Sequence, residues 1–174
     1  PNFSGGFWTY TTAYFQINTG TGTWEYGRKY QVHEVVTDKA GNSTDLSRPP
    51  FTFDIKVPTA TITLPSATPI AVRTLPMISG TANDDYAPDD VQIAIQRSDN
   101  LWFGGLNFDV SQSTPNFLPV DYLSSNATFW YYTAANNLGA KIIDEFHYTI
   151  LVKAVDVAGN AQFEIQLPGR PHHQ

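Results

Sequence analysis

The sequence predicts an all-β protein, and three observations lead to that prediction. Apolar and polar residues alternate with a period of two in several short segments. Glycine, proline, asparagine, aspartate and serine fill the gaps between these segments. No segment shows a convincing helical stripe, and "NNLGAKIIDE" (136–145) could hold one helical turn at most. Many short strands separated by turn residues are typical of a β-sandwich or a β-barrel.

Each predicted strand buries one face of a sheet, because successive side chains of a strand point to opposite faces. "TATITL" therefore places Ala60, Ile62 and Leu64 on one face. "VQIAIQ" (91–96) and "FHYTILVKAVD" (146–156) alternate in the same way. The strands predicted in this part of the chain are Thr59–Leu64, Met77–Ala82, Val91–Ser98, Leu101–Val110, Phe146–Asp156 and Gln162–Leu167.

One phrase occurs twice, as "VVTDKAGN" (35–42) and "AVDVAGN" (154–160). Its two glycines, Gly41 and Gly159, lie 118 residues apart (159 − 41). With this offset Tyr30 aligns with Tyr148, and Asp38 aligns with Asp156. Downstream, "FTFDI" (51–55) matches "FEIQL" (163–167) after a loop of different length. Farther upstream, "FWTYTTA" (7–13) matches "FWYYTAA" (129–135). The chain is therefore predicted to contain an internal repeat of one structural unit.

The two copies differ in what precedes them. Four predicted strands come before "FWYYTAA" in the second copy, whereas only Pro1 and "NFSGG" precede the first. We therefore expect residues 1–56 to be the C-terminal half of a module, 57–168 a complete module and 169–174 a tail. Half a module leaves sheet edges and a core face exposed. The missing strands are expected on another chain or in a longer polypeptide.

The repeated phrase and its surroundings resemble a known family. "Y-x-I-x-V-x-A-x-D-x-A-G-N" (148–160), "PTATITLP" (58–65), "ISGTANDD" (78–85) and "VQIAI" (91–95) are similar to the bacterial immunoglobulin-like repeats of long secreted and cell-surface proteins. The resemblance covers nearly all of 57–168, and 7–56 matches the later strands of a preceding module. It implies immunoglobulin-like β-sandwich modules in tandem, an extracellular location and neighbouring modules or subunits as partners.

Composition and motifs disfavour several functions. The net charge is −6 and the ten basic residues are scattered, which disfavours nucleic-acid binding. The chain has no cysteine, and no apolar run approaches the roughly 18 residues of a membrane-spanning helix. No G-x-S-x-G, P-loop or H-E-x-x-H motif occurs, so we do not expect an enzyme. The leading expectation is a non-catalytic spacer, adhesin or filament-forming module.

Six carboxylates are candidate calcium ligands. "NDDYAPDD" (83–90) is rich in aspartate, and Ca²⁺ takes six to eight oxygen ligands from such loops. Its spacing does not fit an EF-hand, and a solvated loop is the alternative interpretation. In the D-x-A-G-N turns, the aspartate is expected to accept backbone N–H groups while the glycine adopts positive φ. The candidates are Asp38, Asp54, Asp84, Asp85, Asp89 and Asp90. No other cofactor is expected.

Two further features need an explanation. Glu34 aligns with Val152, a position predicted to face the core, and an unpaired carboxylate there costs several kcal/mol. Arg28 or Lys29 is its expected partner. The aromatic segments "LWFGGLNF" (101–108) and "FWYY" (129–132) cannot place all their rings in one core. Packing against a neighbouring module or under a loop is one interpretation, and glycan binding by an exposed row of Trp102, Trp130 or Tyr131 is the other.

Overall fold

The computed structural model describes residues 2–4, 7–9, 24–66, 72, 74–86, 88–126, 128–144 and 146–166. The chain divides into two compact units, Pro1–Ile55 and Lys56–Gln174. The predicted tail (169–174), Leu167 and the end of the upstream alignment (10–13) lie outside the described residues. No helix in the described ranges is long and apolar enough to span a membrane.

The first unit is built from short antiparallel pairs. β1 pairs with β2, β3 with β6, and β4 with β5. Four aromatic rings pack together beside the β3–β6 pair, with the rings of Trp24 and Tyr30 4.5 Å apart edge to face. The strands are β1 (Asn2–Ser4), β2 (Phe7–Thr9), β3 (Lys29–Tyr30), β4 (His33–Thr37), β5 (Ser43–Ser47) and β6 (Phe51–Thr52).

The described residues of the second unit form two antiparallel sheets and one helical turn, α1 (Leu138–Lys141). One sheet has the order β13-β14-β8-β7, and the other has the order β11-β10-β9-β15-β16, with β12 also paired to β9. The strands are β7 (Thr59–Leu64), β8 (Ile78–Asn83), β9 (Pro88–Arg97), β10 (Trp102–Phe103), β11 (Phe108–Val110), β12 (Leu118–Pro119), β13 (Tyr122–Leu123), β14 (Phe129–Tyr132), β15 (Tyr148–Asp156) and β16 (Ala161–Gln166).

Side chains of both sheets form one hydrophobic core in the second unit. The first sheet contributes Ile78 and Trp130, and the second contributes Ile93, Phe103 and Val152, all fully buried. A smaller cluster of Ala94, Trp102 and Leu151 lies on the other face of the second sheet. Burial of that second face explains why β9 and β15 carry apolar residues at both odd and even positions.

The all-β prediction is confirmed, and the alternation placed most core residues correctly. Val91, Ile93 and Ile95 are buried together, as the period of two predicted. Leu64 was placed on the core face with Ala60 and Ile62, but it is exposed. The reason is a register irregularity between Ile62 and Leu64, where β7 shifts against β8. Such a bulge turns the following side chain to the other face. The predicted strand 101–110 is two short strands that pair with each other.

Two hairpins, β4–β5 and β15–β16, have the same register. Glu34 pairs with Leu46 in the first, and Val152 pairs with Glu164 in the second. Adding 118 to the residue numbers converts every pair of the first hairpin into a pair of the second. In both copies the glycine of the turn has positive φ, 90° at Gly41 and 89° at Gly159. The repeated phrase therefore forms the same structure twice.

Candidate functional site

Asp156, the last residue of β15, organises the turn of the second hairpin. Its Oδ1 accepts hydrogen bonds from the backbone N–H groups of Ala158 and Asn160, each at 2.8 Å. Its Oδ2 accepts a third hydrogen bond from the Nδ2 of Asn160 at 2.8 Å. The residue is only 2% exposed. Because a carboxylate has about four lone-pair sites, one acceptor position of Asp156 remains after these three bonds.

Asp38 forms the same turn in the first hairpin. It accepts hydrogen bonds from Ala40 N at 2.8 Å, Asn42 N at 2.9 Å and Asn42 Nδ2 at 2.8 Å. Hydrogen bonding to the Asn42 side chain is the main cause that lowers the pKa of Asp38 below its ordinary value. Unlike Asp156, Asp38 is exposed. The expected role of both aspartates in closing the turn is confirmed by these bonds.

Asp84, the first residue after β8, lies beside Asp156. A carboxylate oxygen of Asp84 and one of Asp156 are within 4.8 Å of each other. The Oδ2 of Asp84 accepts a hydrogen bond from Tyr86 N at 3.0 Å. Its Oδ1 is shielded from solvent and has no hydrogen-bond partner. The end of β8 and the end of β15, which belong to different sheets, together position this pair of carboxylates.

A buried carboxylate oxygen without a donor, next to a second carboxylate, fits a cation better than an anion or a neutral group. Calcium takes its ligands from carboxylate and carbonyl oxygens, so the chemistry of the pair suits that ion. Two carboxylates supply only part of a six- to eight-oxygen shell. Asp84 and Asp156 would hold the ion, and the ion would neutralise their mutual repulsion.

The other predicted calcium ligands lie in different surroundings. Asp85 forms an ion pair with Lys56, and the Oδ2 of Asp90 accepts a hydrogen bond from Gln92 Nε2 at 2.6 Å. Asp89 is exposed on β9. Asp54 is half-buried and is the penultimate residue of the first unit. Within the described residues, Asp85, Asp89 and Asp90 join no group of close carboxylates, so Asp84 is the member of the loop that meets a second carboxylate.

Sequence reasoning missed Asp156 as a candidate ligand. It selected Asp38 from the same turn, but the structure places a second carboxylate beside Asp156. A signal was available, because Asp156 ends a strand whose even-numbered residues 150, 152 and 154 all face the core. The same periodicity that predicted those residues as core predicts that the Asp156 carboxylate is buried.

Glu34 has a different partner from the one expected. Its Oε2 lies 3.7 Å from Nη2 of Arg48, and the Glu34 side chain is half-buried. The expectation that Arg28 or Lys29 pairs with Glu34 was wrong, since Arg28 forms an ion pair with Glu25 at 2.7 Å and Arg48 is the cation beside Glu34. Arg48 follows β5 directly, and β5 is the strand that pairs with β4. The hairpin itself therefore brings the compensating charge to Glu34.

The aromatic segments are divided between the core and the surface, as the alternation required. Trp102 and Trp130 are buried, and their indole N–H groups donate hydrogen bonds to Gln112 O at 3.0 Å and Thr81 O at 3.2 Å. They cannot form an exposed row. An outward cluster remains on β13 and β14, where the rings of Tyr122 and Tyr131 stack at 5.1 Å and the ring of Phe129 lies 6.3 Å from that of Tyr131.

One Ser–His–Asp grouping occurs on the first hairpin, but its geometry is not that of a nucleophilic triad. Ser47 Oγ lies 3.1 Å from Nδ1 of His33, and Asp45 Oδ1 lies 3.7 Å from the same nitrogen. A triad needs the nucleophile and the carboxylate on opposite ring nitrogens of the histidine. All three residues are exposed on strand surfaces. The arrangement is that of cross-strand polar neighbours.

Comparison of the chain with known proteins found no matching family model, no matching curated protein and no matching solved structure.

Proposed function

We propose that the chain is a non-catalytic structural module of a modular extracellular protein, acting as a spacer, adhesive or filament-forming segment. The strand order of the second unit supports an immunoglobulin-like sandwich. Its first sheet, β7-β8-β14-β13, corresponds to the order A-B-E-D, and β9-β15-β16 corresponds to C-F-G. With its core shared between the two sheets, such a module resists extension through its hydrogen-bonded strands.

The observation that carries this proposal is the link between the first and last strands of the second unit. β7 and β16 belong to different sheets, yet they contact each other, and Ala60 N donates a hydrogen bond to Gln162 Oε1 at 3.3 Å. A pulling force applied at the two ends of the unit therefore acts first on neighbouring strands. Both strands must separate before the core opens, which suits a load-bearing spacer.

Single-molecule force measurements test this function. The whole chain is held at both ends and extended, and the second unit is expected to unfold in one cooperative event. Fully extended, the segment Thr59–Gln166 releases about 36–39 nm of chain, before subtraction of its folded length. Gln162→Ala, which removes the link to Ala60, is expected to lower the unfolding force.

Gln96→Ala is the matched control, because Gln96 lies on the interior strand β9 and away from the link. It should leave the unfolding force close to that of the unchanged chain. Gradual extension of the second unit without a force peak would contradict the load-bearing role. A force peak that Gln162→Ala and Gln96→Ala lower equally would contradict the importance of the β7–β16 link.

Calcium binding at Asp84 and Asp156 is a second part of the proposal. The unpartnered Oδ1 of Asp84 beside Asp156 supports it, and Asp54 stays a sequence-based candidate for the same role. Isothermal titration of the chain with CaCl₂ is expected to show saturable binding that Asp84→Asn weakens. Asp89→Asn is the control, because Asp89 is exposed and outside the pair. If Asp84→Asn and Asp89→Asn bound calcium equally well, Asp84 would not be a calcium ligand.

Glycan binding is the alternative function, and one observation favours it. The exposed rings of Tyr122 and Phe129, with the half-buried ring of Tyr131, form an aromatic surface on which a sugar ring can stack. Phe129→Ser should abolish retention of the chain on immobilised polysaccharides. Leu106→Ser, at an exposed apolar residue outside this cluster, should not. If the unchanged chain binds none of a broad glycan panel, the alternative is rejected.

A further inference from the structure

The two hairpins share a register but differ in burial. Val36 and Ala154 are equivalent, and Val36 is 53% exposed whereas Ala154 is fully buried. Val32 and Ile150 are also equivalent, with exposures of 41% and 3%. In the second unit this inner face of the hairpin packs in the core. In the first unit the same face presents valine side chains to solvent.

The second unit also shows what covers the equivalent strand edge. β15 pairs with β16 on one edge and with β9 on the other, where Ile150, Val152 and Ala154 lie opposite Ile95, Ile93 and Val91. β4 pairs with β5, and among the described residues it has no strand on its other edge. An open strand edge with an apolar face is a template for pairing with another strand.

The backbone of β4 shows which groups are available at that edge. Asp38 N donates to Asn42 O at 2.9 Å, and Arg48 N donates to Val32 O at 3.0 Å. Residues 32 and 38 therefore direct their backbone groups toward β5. Because consecutive residues of a strand point their N–H and C=O groups to opposite edges, His33, Val35 and Thr37 direct theirs to the open edge.

We propose that the open edge of β4 binds an extended strand of the β9 type, antiparallel to β4, with alternating apolar residues over Val32 and Val36. This inference rests on the proposed function and deepens it by naming the partner as a separate β-strand supplied to the first unit. Main-chain hydrogen bonds to residues 33, 35 and 37 give the affinity, and the apolar residues give the register.

Glu34 adds a chemical preference to this partner. In the second unit the residue opposite the equivalent Val152 is Ile93. In the first unit that position of the incoming strand lies opposite a half-buried carboxylate whose ion pair with Arg48 is 3.7 Å long. Opposite charges directly across a strand pair stabilise it modestly. The preferred partner therefore carries arginine or lysine between two apolar residues, where β9 carries isoleucine.

A peptide with the sequence of Pro88–Arg97, labelled with a fluorophore, serves as the probe. Fluorescence anisotropy with the whole chain is expected to show saturable binding. A peptide with Ile93→Arg should bind about two- to fivefold more tightly, as expected for a cross-strand ion pair. A peptide with Val91→Ser and Ile95→Ser should bind roughly tenfold more weakly, since it loses both apolar contacts. A peptide with Gln92→Ser and Gln96→Ser is the matched control and should bind as the original does.

Two variants of the chain locate the binding edge. Val35→Pro removes an N–H group that faces the open edge of β4 and leaves the β4–β5 bonds in place, so binding should weaken roughly tenfold or more. Asp45→Pro, directly across the hairpin, removes an N–H group on the outer edge of β5 and should bind normally. Equal binding by these variants would overturn the proposal.

The remaining outcomes separate this inference from the proposed function. Absence of peptide binding overturns the inference, while the force peak of the second unit still supports the function. If sedimentation showed that the unchanged chain forms dimers and that the Val35→Pro variant does not, a second copy of the chain would be the occupant of the edge. That result would overturn the proposal of a separate strand. The peptide variants need no change to the chain, so they test the proposal even if Val35→Pro fails to fold.

Discussion

The indole ring of Trp130 occupies the space that a side chain at position 80 would need. Gly80 of β8 lies directly opposite Trp130 of β14, and a Cβ atom at Gly80 would be 2.5 Å from Cζ2 of the indole. The same atom would be 1.8 Å from the backbone oxygen of Thr61 on β7. Glycine at this position thus allows the largest fully buried side chain to approach the backbone of β8 closely.

Gly80→Ala is expected to destabilise the second unit by about 3 kcal/mol or more, because neither the indole nor the β7 backbone can move away without disturbing the core. Urea unfolding followed by tryptophan fluorescence measures the change. Thr81→Ala, at the exposed next residue, loses the 2.8 Å hydrogen bond between the Thr61 and Thr81 hydroxyls and should cost less than about 1 kcal/mol. Similar losses in both variants would contradict the steric argument.

The alternation of apolar residues predicted the core of β9 and β15 because burial of one face enforces a period of two. It could not predict the bulge before Leu64, which depends on how β7 and β8 are aligned across 14 or more intervening residues. The partner of Glu34 was missed for a related reason. Arg48 comes near Glu34 through the register of the hairpin, whereas Arg28 and Lys29 are close only along the chain.

The pairing of Asp84 with Asp156 was the least accessible feature from the sequence. One residue follows β8 and the other ends β15, and these strands lie in different sheets. Their proximity is set by the way the sheets stack, which no local pattern encodes. By contrast, the turns at Asp38 and Asp156 were predictable, because every bond that forms them lies within five consecutive residues.

Asp156→Ala should destabilise the second unit by about 2–4 kcal/mol, since two backbone N–H groups and the Asn160 amide lose a charged acceptor in a buried turn. Asp156→Asn keeps one acceptor oxygen and should cost less. Urea unfolding of the second unit measures both changes. The equivalent Asp38→Ala, measured by urea unfolding of the first unit, is the matched comparison, and it should have a smaller effect because the first turn is exposed. A larger effect of Asp38→Ala would show that burial does not set the strength of the turn.

Acid should weaken the first hairpin through Asp38. The hydrogen bond from Asn42 Nδ2 lowers the pKa of Asp38, so the ionised form is favoured in the folded state. The resulting stability is present above the unfolded-state pKa of about 3.9 and is lost as the pH falls through the lower folded-state pKa. Asn42→Ala should raise the pKa of Asp38, measured from its side-chain NMR shifts. Lys39→Ala, in the same turn, should leave it unchanged, and an equal shift in both variants would contradict the assigned cause.

Alkali should weaken the second unit through Tyr132. Burial, followed by the charge of Asp121, raises the pKa of Tyr132 to about 12, so the neutral phenol is favoured in the folded state. The corresponding stability is present below the unfolded-state pKa of about 10 and is lost as the pH rises toward 12. The absorbance of tyrosinate should therefore show a late-titrating component that Tyr132→Phe removes. Tyr131→Phe, at the half-buried neighbour that faces outward, should retain this component. If Tyr131→Phe removed the late-titrating component and Tyr132→Phe kept it, the component would not come from the buried Tyr132. That result would contradict the burial argument.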